Sequence, residues 1–278
     1  MKIAITAEST IDLTKELLEK YNIKTIPFSV ILGDEEYKDG EITSADIFKF
    51  VEENKILPKT SAINEMQYKE FFEGILKESD AVVHFCLSSQ ISSACSNAKL
   101  AASEMKNVYV VDSKSLSTGI AVLAINAVKM AQNGATAQEI ATASEEKTAK
   151  VQASFVVKKL DYLHKGGRCS SIALFGANLL SIRPEIVLKD GKMVSAKKYL
   201  GKMEKVIEKY CKDVLAENTN PDKKYAFVTY TTATEEMINI AKTALTQAGF
   251  ETIYETQAGA TITSHCGENT LGILFLNK

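Results

Sequence analysis

The feature that most constrains this chain is the regular alternation of short apolar runs with amphipathic stretches through residues 1–150. Lys2 to Ala7 reads as a buried strand. Asp12 then precedes Leu13, Leu17, Leu18 and Tyr21, a helical spacing with an acidic start. Ile23 to Leu32 is strand-like and broken at Pro27. Gly33-Asp34 and Asp39-Gly40 are turn signals. Ser44 can cap a helix carrying Ile47, Phe48 and Val51. Met66 to Glu78 has helical periodicity, Ala81 to Leu87 (AVVHFCL) reads as a strand, and Ile91 onward turns helical. Val108 to Asp112 is a further strand, and Ser115 to Gln132 a long helix that can stop at Gly134. Strands that alternate with helices in this way predict a parallel sheet covered on both faces.

The second half has a different grammar. A helix over Gln138–Ala149 leads into a strand at Val151–Val157 and a short helix at Leu160–His164. The loop Lys165-Gly166-Gly167-Arg168 and an apolar helix from Ile172 to Ile182 come next. Glu185–Leu188 and Met193–Ala196 flank the turn Asp190-Gly191 as a hairpin. Helices at Lys202–Glu217 and Thr234–Ala248 alternate with strands at Tyr225–Tyr230, Glu251–Thr256 and Leu271–Leu276. The expected architecture is therefore α/β with two domains. Residues 1–150 form an α/β domain on a parallel sheet, and residues 151–278 an α+β domain on a mixed or antiparallel sheet. A chain of 278 residues accommodates both.

Composition narrows the function. Lys plus Arg is 33 against 35 for Asp plus Glu, so nothing global favours nucleic acid or an anionic membrane as partner. No apolar run reaches the ~20 residues of a membrane span. The richest run, Ile120 to Val128, sits in an amphipathic pattern. The N-terminus MKIAITAEST has no signal-peptide core, which points to the cytoplasm. The five cysteines (Cys86, Cys95, Cys169, Cys211 and Cys266) are scattered without a CxxC pair, which favours buried or spare thiols over zinc or redox chemistry. No HExxH, P-loop or GxGxxG occurs, so no metal or nucleotide cofactor is expected.

The polar segments offer a different chemistry. Ser88 to Ser96 holds five serines at the passage from a strand into a helix. That edge of an open α/β sheet is where ligands bind. A helix start presents unpaired N–H groups, and serine hydroxyls add donors without bulk. The segment suits helix capping, or an anionic oxygen group such as a carboxylate or phosphate. Lys59-Thr60-Ser61 and Asp112-Ser113-Lys114-Ser115 are similar clusters, each compatible with capping. Of the histidines, His84 lies in an apolar strand and His164 beside Lys165 at the surface. His265 occupies a small, polar stretch, Thr261 to Gly267, read as a loop and compatible with a site or with core. Ser92 and His265 are a conceivable nucleophile and base, but no GxSxG elbow surrounds any serine.

Several of these segments, taken in order, resemble the DegV family, the FakB-type bacterial fatty-acid-binding proteins. Thr6-Ala7-Glu8-Ser9-Thr10-Ile11-Asp12-Leu13 is similar to the family's TDSTxDL, with Glu8 where Asp is usual. Lys59-Thr60-Ser61 is similar to its KTS, followed here by Ala62-Ile63-Asn64 in place of Gln-Pro-Ser. Ile91-Ser92-Ser93-Ala94 shares the serine, Ser92, of LSGT, and Asp112-Ser113 fits a DS pair. Leu160 to Arg168 is close to L-x-Y-L-x-K-G-G-R. Leu180-Ser181-Ile182-Arg183-Pro184 fits LLxIKP, and His265-Cys266-Gly267 fits the closing H-x-G.

The resemblance implies a carrier, not an enzyme, that encloses a long-chain fatty acid between two domains. Thr60, Ser61, Ser92 and His265 would hold the carboxylate, with Arg168 and Ser93 close by. Phe28, Ile91, Leu179 and Ile182 are candidates for the tail lining. A tail of roughly 14 methylenes gains on the order of 11 kcal/mol on burial before ordering costs, so neutral donors suffice to orient the head. The resemblance also implies presentation of the acid to a separate fatty acid kinase for phospholipid synthesis. That role is associated with an Arg after the hairpin. The corresponding place, near Leu200-Gly201, has none, and Lys197, Lys198 and Lys202 lack Arg's fork. The resemblance thus implies lipid binding more directly than kinase docking. Two other readings fit the polar loops: a binding module for a phosphorylated small molecule, and a Ser/His acyl hydrolase.

Overall fold

The computed structural model describes residues 1–169 and 182–278. In chain order the first elements are β1 (Ile3–Glu8), α1 (Lys15–Tyr21), β2 (Lys24–Ile26), β3 (Ser29–Leu32), β4 (Glu35–Lys38), α2 (Ser44–Asn54) and β5 (Lys59–Ser61). They are followed by α3 (Glu65–Leu76), β6 (Ala81–Cys86), α4 (Ala94–Ala102), β7 (Val108–Asp112), α5 (Thr118–Gln132) and α6 (Ala137–Lys147). The second half holds β8 (Val151–Val156), α7 (Asp161–Gly166), β9 (Ile182–Lys189), β10 (Lys192–Leu200) and α8 (Met203–Glu217). It ends with β11 (Ala226–Tyr230), α9 (Glu235–Gln247), β12 (Ile253–Gln257), α10 (Ala260–Cys266) and β13 (Leu271–Leu276).

Two main sheets organise these elements. The first is parallel, in the order β2-β1-β6-β7. Its inner strand β6 is buried along its whole length and is apolar but for His84, as expected of a strand covered on both faces. The second is mixed, in the order β10-β9-β8-β13-β11-β12, with only β11 and β12 parallel. The expected α/β class, with a parallel sheet followed by a mixed one, is what the chain adopts. None of the described helices is long and apolar enough to cross a membrane.

Four features depart from the sequence reading. Residues 120–128 are not amphipathic in their setting. Helix α5 is buried from Thr118 to Ile125 and packs on β1 and β6 on one side and on β8 and β13 on the other. A helix sandwiched between two sheets needs an apolar surface all round. Second, a small antiparallel sheet, β4-β3-β5, was not anticipated. Pro27 ends β2, and the chain crosses into this sheet, where Thr60 lies opposite Val30. Third, Thr43 rather than Ser44 caps α2, in a capping box with Asp46. Likewise Thr14, not Asp12, caps α1. Fourth, Thr261 to Cys266 is not a loop but most of α10, which lies across α2, β3 and β5. A C-terminal helix thus closes over the first half of the chain. All five cysteines are buried.

Candidate functional site

Beside the carboxyl end of β6 lies a cavity of about 290 Å³. Each wall comes from a different element. Thr60, Ser61 and Ala62 lie on or after β5. Leu87 follows β6, and Ile91, Ser92 and Ser93 precede α4. Leu116 precedes α5, Arg168 follows α7, and Met193 lies in β10. Helix α10 supplies Thr261, Ile262, His265 and Cys266.

The serine loop is held from below. Glu8 is buried, and its carboxylate accepts from Tyr68 Oη at 2.5 Å and from the Leu87 N–H at 2.7 Å, so it anchors the chain where it leaves β6. Burial pushes Glu8 up to about 7. Asp112 accepts from both the N–H and the hydroxyl of Ser89. The Ser88 hydroxyl donates to the Gly191 carbonyl at the tip of the β9–β10 hairpin, at 2.7 Å. Ser92 Oγ accepts the Ala94 N–H at 3.1 Å. A hydroxyl used as an acceptor keeps its own hydrogen to donate. Ser92 therefore holds the first N–H of α4 and still offers a donor to the cavity.

Opposite it stands His265, with Nε2 at 2.8 Å from Thr60 Oγ1. Its Nδ1 is shut off from water without a hydrogen-bond partner among the described residues, and so is the Thr261 hydroxyl in the same wall. Burial first, and the neighbouring Arg168 charge second, push the imidazole down to about 4. The ring is therefore neutral near pH 7. Gly166 makes its placement possible: a Cβ there would lie 2.7 Å from His265 Nδ1. Arg168 is exposed at the rim, and its guanidinium donates to the Gly166 carbonyl at 2.6 Å. None of the described lining residues is acidic. Hydroxyl donors, a neutral imidazole and a rim guanidinium suit one anionic oxygen group, with apolar Leu87, Ile91, Leu116, Met193 and Ile262 around it.

Leu116, Ile262 and Cys266 also border a second, narrow slot of about 20 Å³. It runs toward Phe155, Gly272 and Leu274 on the six-stranded sheet, with Thr229, Thr231 and Thr270 among its polar walls. Leu116, Ile262 and Cys266 thus form the partition between the cavity and this slot.

The structure brings Thr60, Ser61, Ile91, Ser92, Ser93, Arg168 and His265 to one cavity. Two of the tail-lining candidates stand elsewhere. Phe28 is buried in the main core, and Ile182 opens β9. Leu179 lies outside the described residues. His265 bonds to Thr60, whereas the Ser92 hydroxyl is engaged with Ala94. Sequence reasoning missed Leu87, Leu116, Met193, Thr261, Ile262 and Cys266. Thr261 and Ile262 were findable, since they precede His265 by a helical turn, had the segment been read as a helix. Met193 carried no local signal. His84, an interior residue as its strand suggested, bonds through Nδ1 to Thr6 Oγ1 at 2.9 Å. Potential ligand atoms of Glu8, His84 and Cys86 lie within 4.8 Å of one another in this core. Burial holds the carboxyl and the thiol toward their protonated forms and the imidazole neutral.

A sheet-edge cavity closed by a helix from the far end of the chain, with hydroxyl and imidazole groups among apolar walls, defines a two-sheet α/β protein with a candidate ligand pocket. The profile of the DegV family of uncharacterised proteins matches residues 2–278, and the chain belongs to that family. A fatty acid-binding protein of Thermotoga maritima is 32% identical over 288 residues, covering 98% of this chain and 96% of its own. Protein DegV of Bacillus subtilis is 30% identical over 282 residues and covers 100% of both chains. A solved DegV family protein from Thermus thermophilus, described by its fatty acid binding, superposes with a TM-score of 0.92 at 26% identity over 100% of both chains.

Proposed function

We propose that this chain binds a long-chain fatty acid between the units formed by residues 1–150 and 151–278. Thr60, Ser61, Ser92 and His265 hold the carboxylate, and Arg168 supplies charge at the rim. The single observation that carries this reading is the Thr60–His265 pair in a cavity that also presents Ser92, with no acidic group among the described walls. The relatives described as fatty acid-binding proteins support it. The acyl tail follows Leu116 and Ile262 into the slot and has to widen it, since that slot is about 20 Å³. Displaced water and buried methylenes, at about 0.8 kcal/mol each, provide the driving force.

The chain acts as a carrier that leaves the acid unaltered, and a separate kinase is its partner in our reading. Hydrolysis is disfavoured because His265 bonds to Thr60, not to Ser92, and its Nδ1 has no orienting carboxylate among the described residues. Extraction of the purified protein followed by lipid mass spectrometry tests the ligand. Titration with palmitate then tests the head site. Ser92→Ala, Thr60→Ala and His265→Ala should each weaken binding by about 1.5–3 kcal/mol, the worth of a hydrogen bond to a charged group. Wild-type affinity in all three would place the carboxylate elsewhere, and no acyl chain by either method would end the lipid reading.

A further inference from the structure

The helix that carries His265 is not capped by its own residues. Gly259, at its start, has no side chain to offer. Two carboxylates from the other end of the chain supply the acceptors instead. The Gly259 N–H donates to Asp12 Oδ1 at 2.8 Å, and the Ala260 N–H donates to Asp39 Oδ1 at 2.8 Å. Each acid is held in turn. Asp12 Oδ2 accepts the Ser117 hydroxyl at 2.5 Å. Asp39 Oδ2 accepts the Ser9 hydroxyl at 2.8 Å, and Ser9 Oγ accepts the Phe28 N–H at 3.1 Å. The approach depends on glycine, because a Cβ on Gly259 would lie 2.9 Å from Asp39 Oδ1 and 3.1 Å from Asp12 Oδ1.

The arrangement reaches the cavity at two points. Helix α10 runs from this clamp to His265 in its last turn, so a shift at its start moves the imidazole relative to Thr60. Ser117 directly follows Leu116, which borders both the cavity and the slot. Side-chain oxygens at a helix start also satisfy the unpaired N–H groups there.

We infer that Asp12 and Asp39 are positioning residues of the head-group site: they clamp the first turn of α10 so that His265 meets Thr60. Neither touches the ligand. The inference deepens the fatty-acid reading and rests on it for the binding readout alone. Titration with laurate and with dodecanol, which share a tail and differ in the head, separates positioning from general stability. Asp39→Ala should lower laurate affinity about fivefold or more, the equivalent of one lost hydrogen bond, and leave dodecanol within about twofold. Asp39→Asn, whose side-chain oxygen still accepts the Ala260 N–H, should restore most of the difference. The ¹⁵N shifts of the His265 ring in ligand-free protein should move in Asp39→Ala and return in Asp39→Asn. Gly259→Ala, which wedges the two acids apart, should reproduce the Asp39→Ala pattern if that variant does not fold. An unchanged laurate-to-dodecanol ratio together with unmoved His265 shifts in the folded variants overturns the inference. Should the wild type bind neither probe, the lipid reading falls, and the His265 shifts alone decide the clamp.

Discussion

His265 and Glu8 carry opposite burdens, and the pH dependence of stability follows from them and their neighbours. Burial raises Glu8 from its ordinary 4.5 to about 7 and Asp12 from 3.8 to about 8. The folded chain holds these protons more tightly than the unfolded one. Their stabilising contribution is fully present below about pH 4 and is lost as pH rises through 7 and 8. His84 and His265 are lowered from 6.5 to about 3 and about 4. Their contribution is present above pH 6.5 and is lost as pH falls through those values. Between pH 6.5 and 8 only the acids titrate in this set. Stability should therefore fall across that window by on the order of 1 kcal/mol per pH unit for each acid still protonated. Urea denaturation at intervals from pH 6.5 to 8 reads this directly. Asp12→Asn should flatten the part of the slope nearest pH 8, and a wild-type stability that rises over the window would contradict the account. Gly166 gives a second prediction at this scale. Alanine there improves helix propensity but places a Cβ 2.7 Å from His265 Nδ1. Gly166→Ala should keep the fold and weaken palmitate binding by about 1–2 kcal/mol, the worth of a hydrogen bond to the head group. Calorimetric titration beside a thermal melt distinguishes that outcome from simple destabilisation.

Among the elements, α5 and α10 show how packing overrides local pattern. Helix α5 lies between the two sheets, and Ile120 on it is fully buried. Ile120→Ala should cost about 2–5 kcal/mol, as large-to-small changes in a core do. Chemical denaturation would measure it, and a loss below 1 kcal/mol would mean the site collapses freely around the smaller side chain. Periodicity alone misjudged this helix because its second face is covered by the six-stranded sheet, whose β8 and β13 come later in the chain. Helix α10, with the sequence ATITSHC, is rich in β-branched and hydroxyl residues of low helix propensity. It forms because distant carboxylates cap it and because the Val30, Ile47 and Ala260 cluster packs its first turn. Strand β5, at three residues, is too short to show a period, so Lys59-Thr60-Ser61 looked like a cap.

At the scale of the whole molecule, the cavity draws its walls from residues 60 to 266, so its occupant should tie distant parts of the chain together. A ligand that binds the folded chain alone stabilises it by RT ln(1 + [L]/Kd), about 2.7 kcal/mol at a hundredfold excess over Kd. Palmitate should raise the melting temperature of delipidated protein, and the rise should shrink in His265→Ala; an unchanged melt at saturating palmitate would speak against a ligand seated between the halves. The alternation of strand and helix, the boundaries of most elements to within a few residues, and the motifs that carry the family were all legible in the residues themselves. These properties are local, because burial imposes a period of two or 3.6 on neighbouring side chains. The motifs also named Thr60, Ser92 and His265 as candidates. That Thr60, rather than Ser92, meets His265 across 205 positions was left to the fold. So were the covering of α5 on both sides and the capping of α10 by acids 247 and 221 positions away. Such pairings depend on how whole sheets stack, and no period along the chain records which distant groups that stacking brings within hydrogen-bond reach.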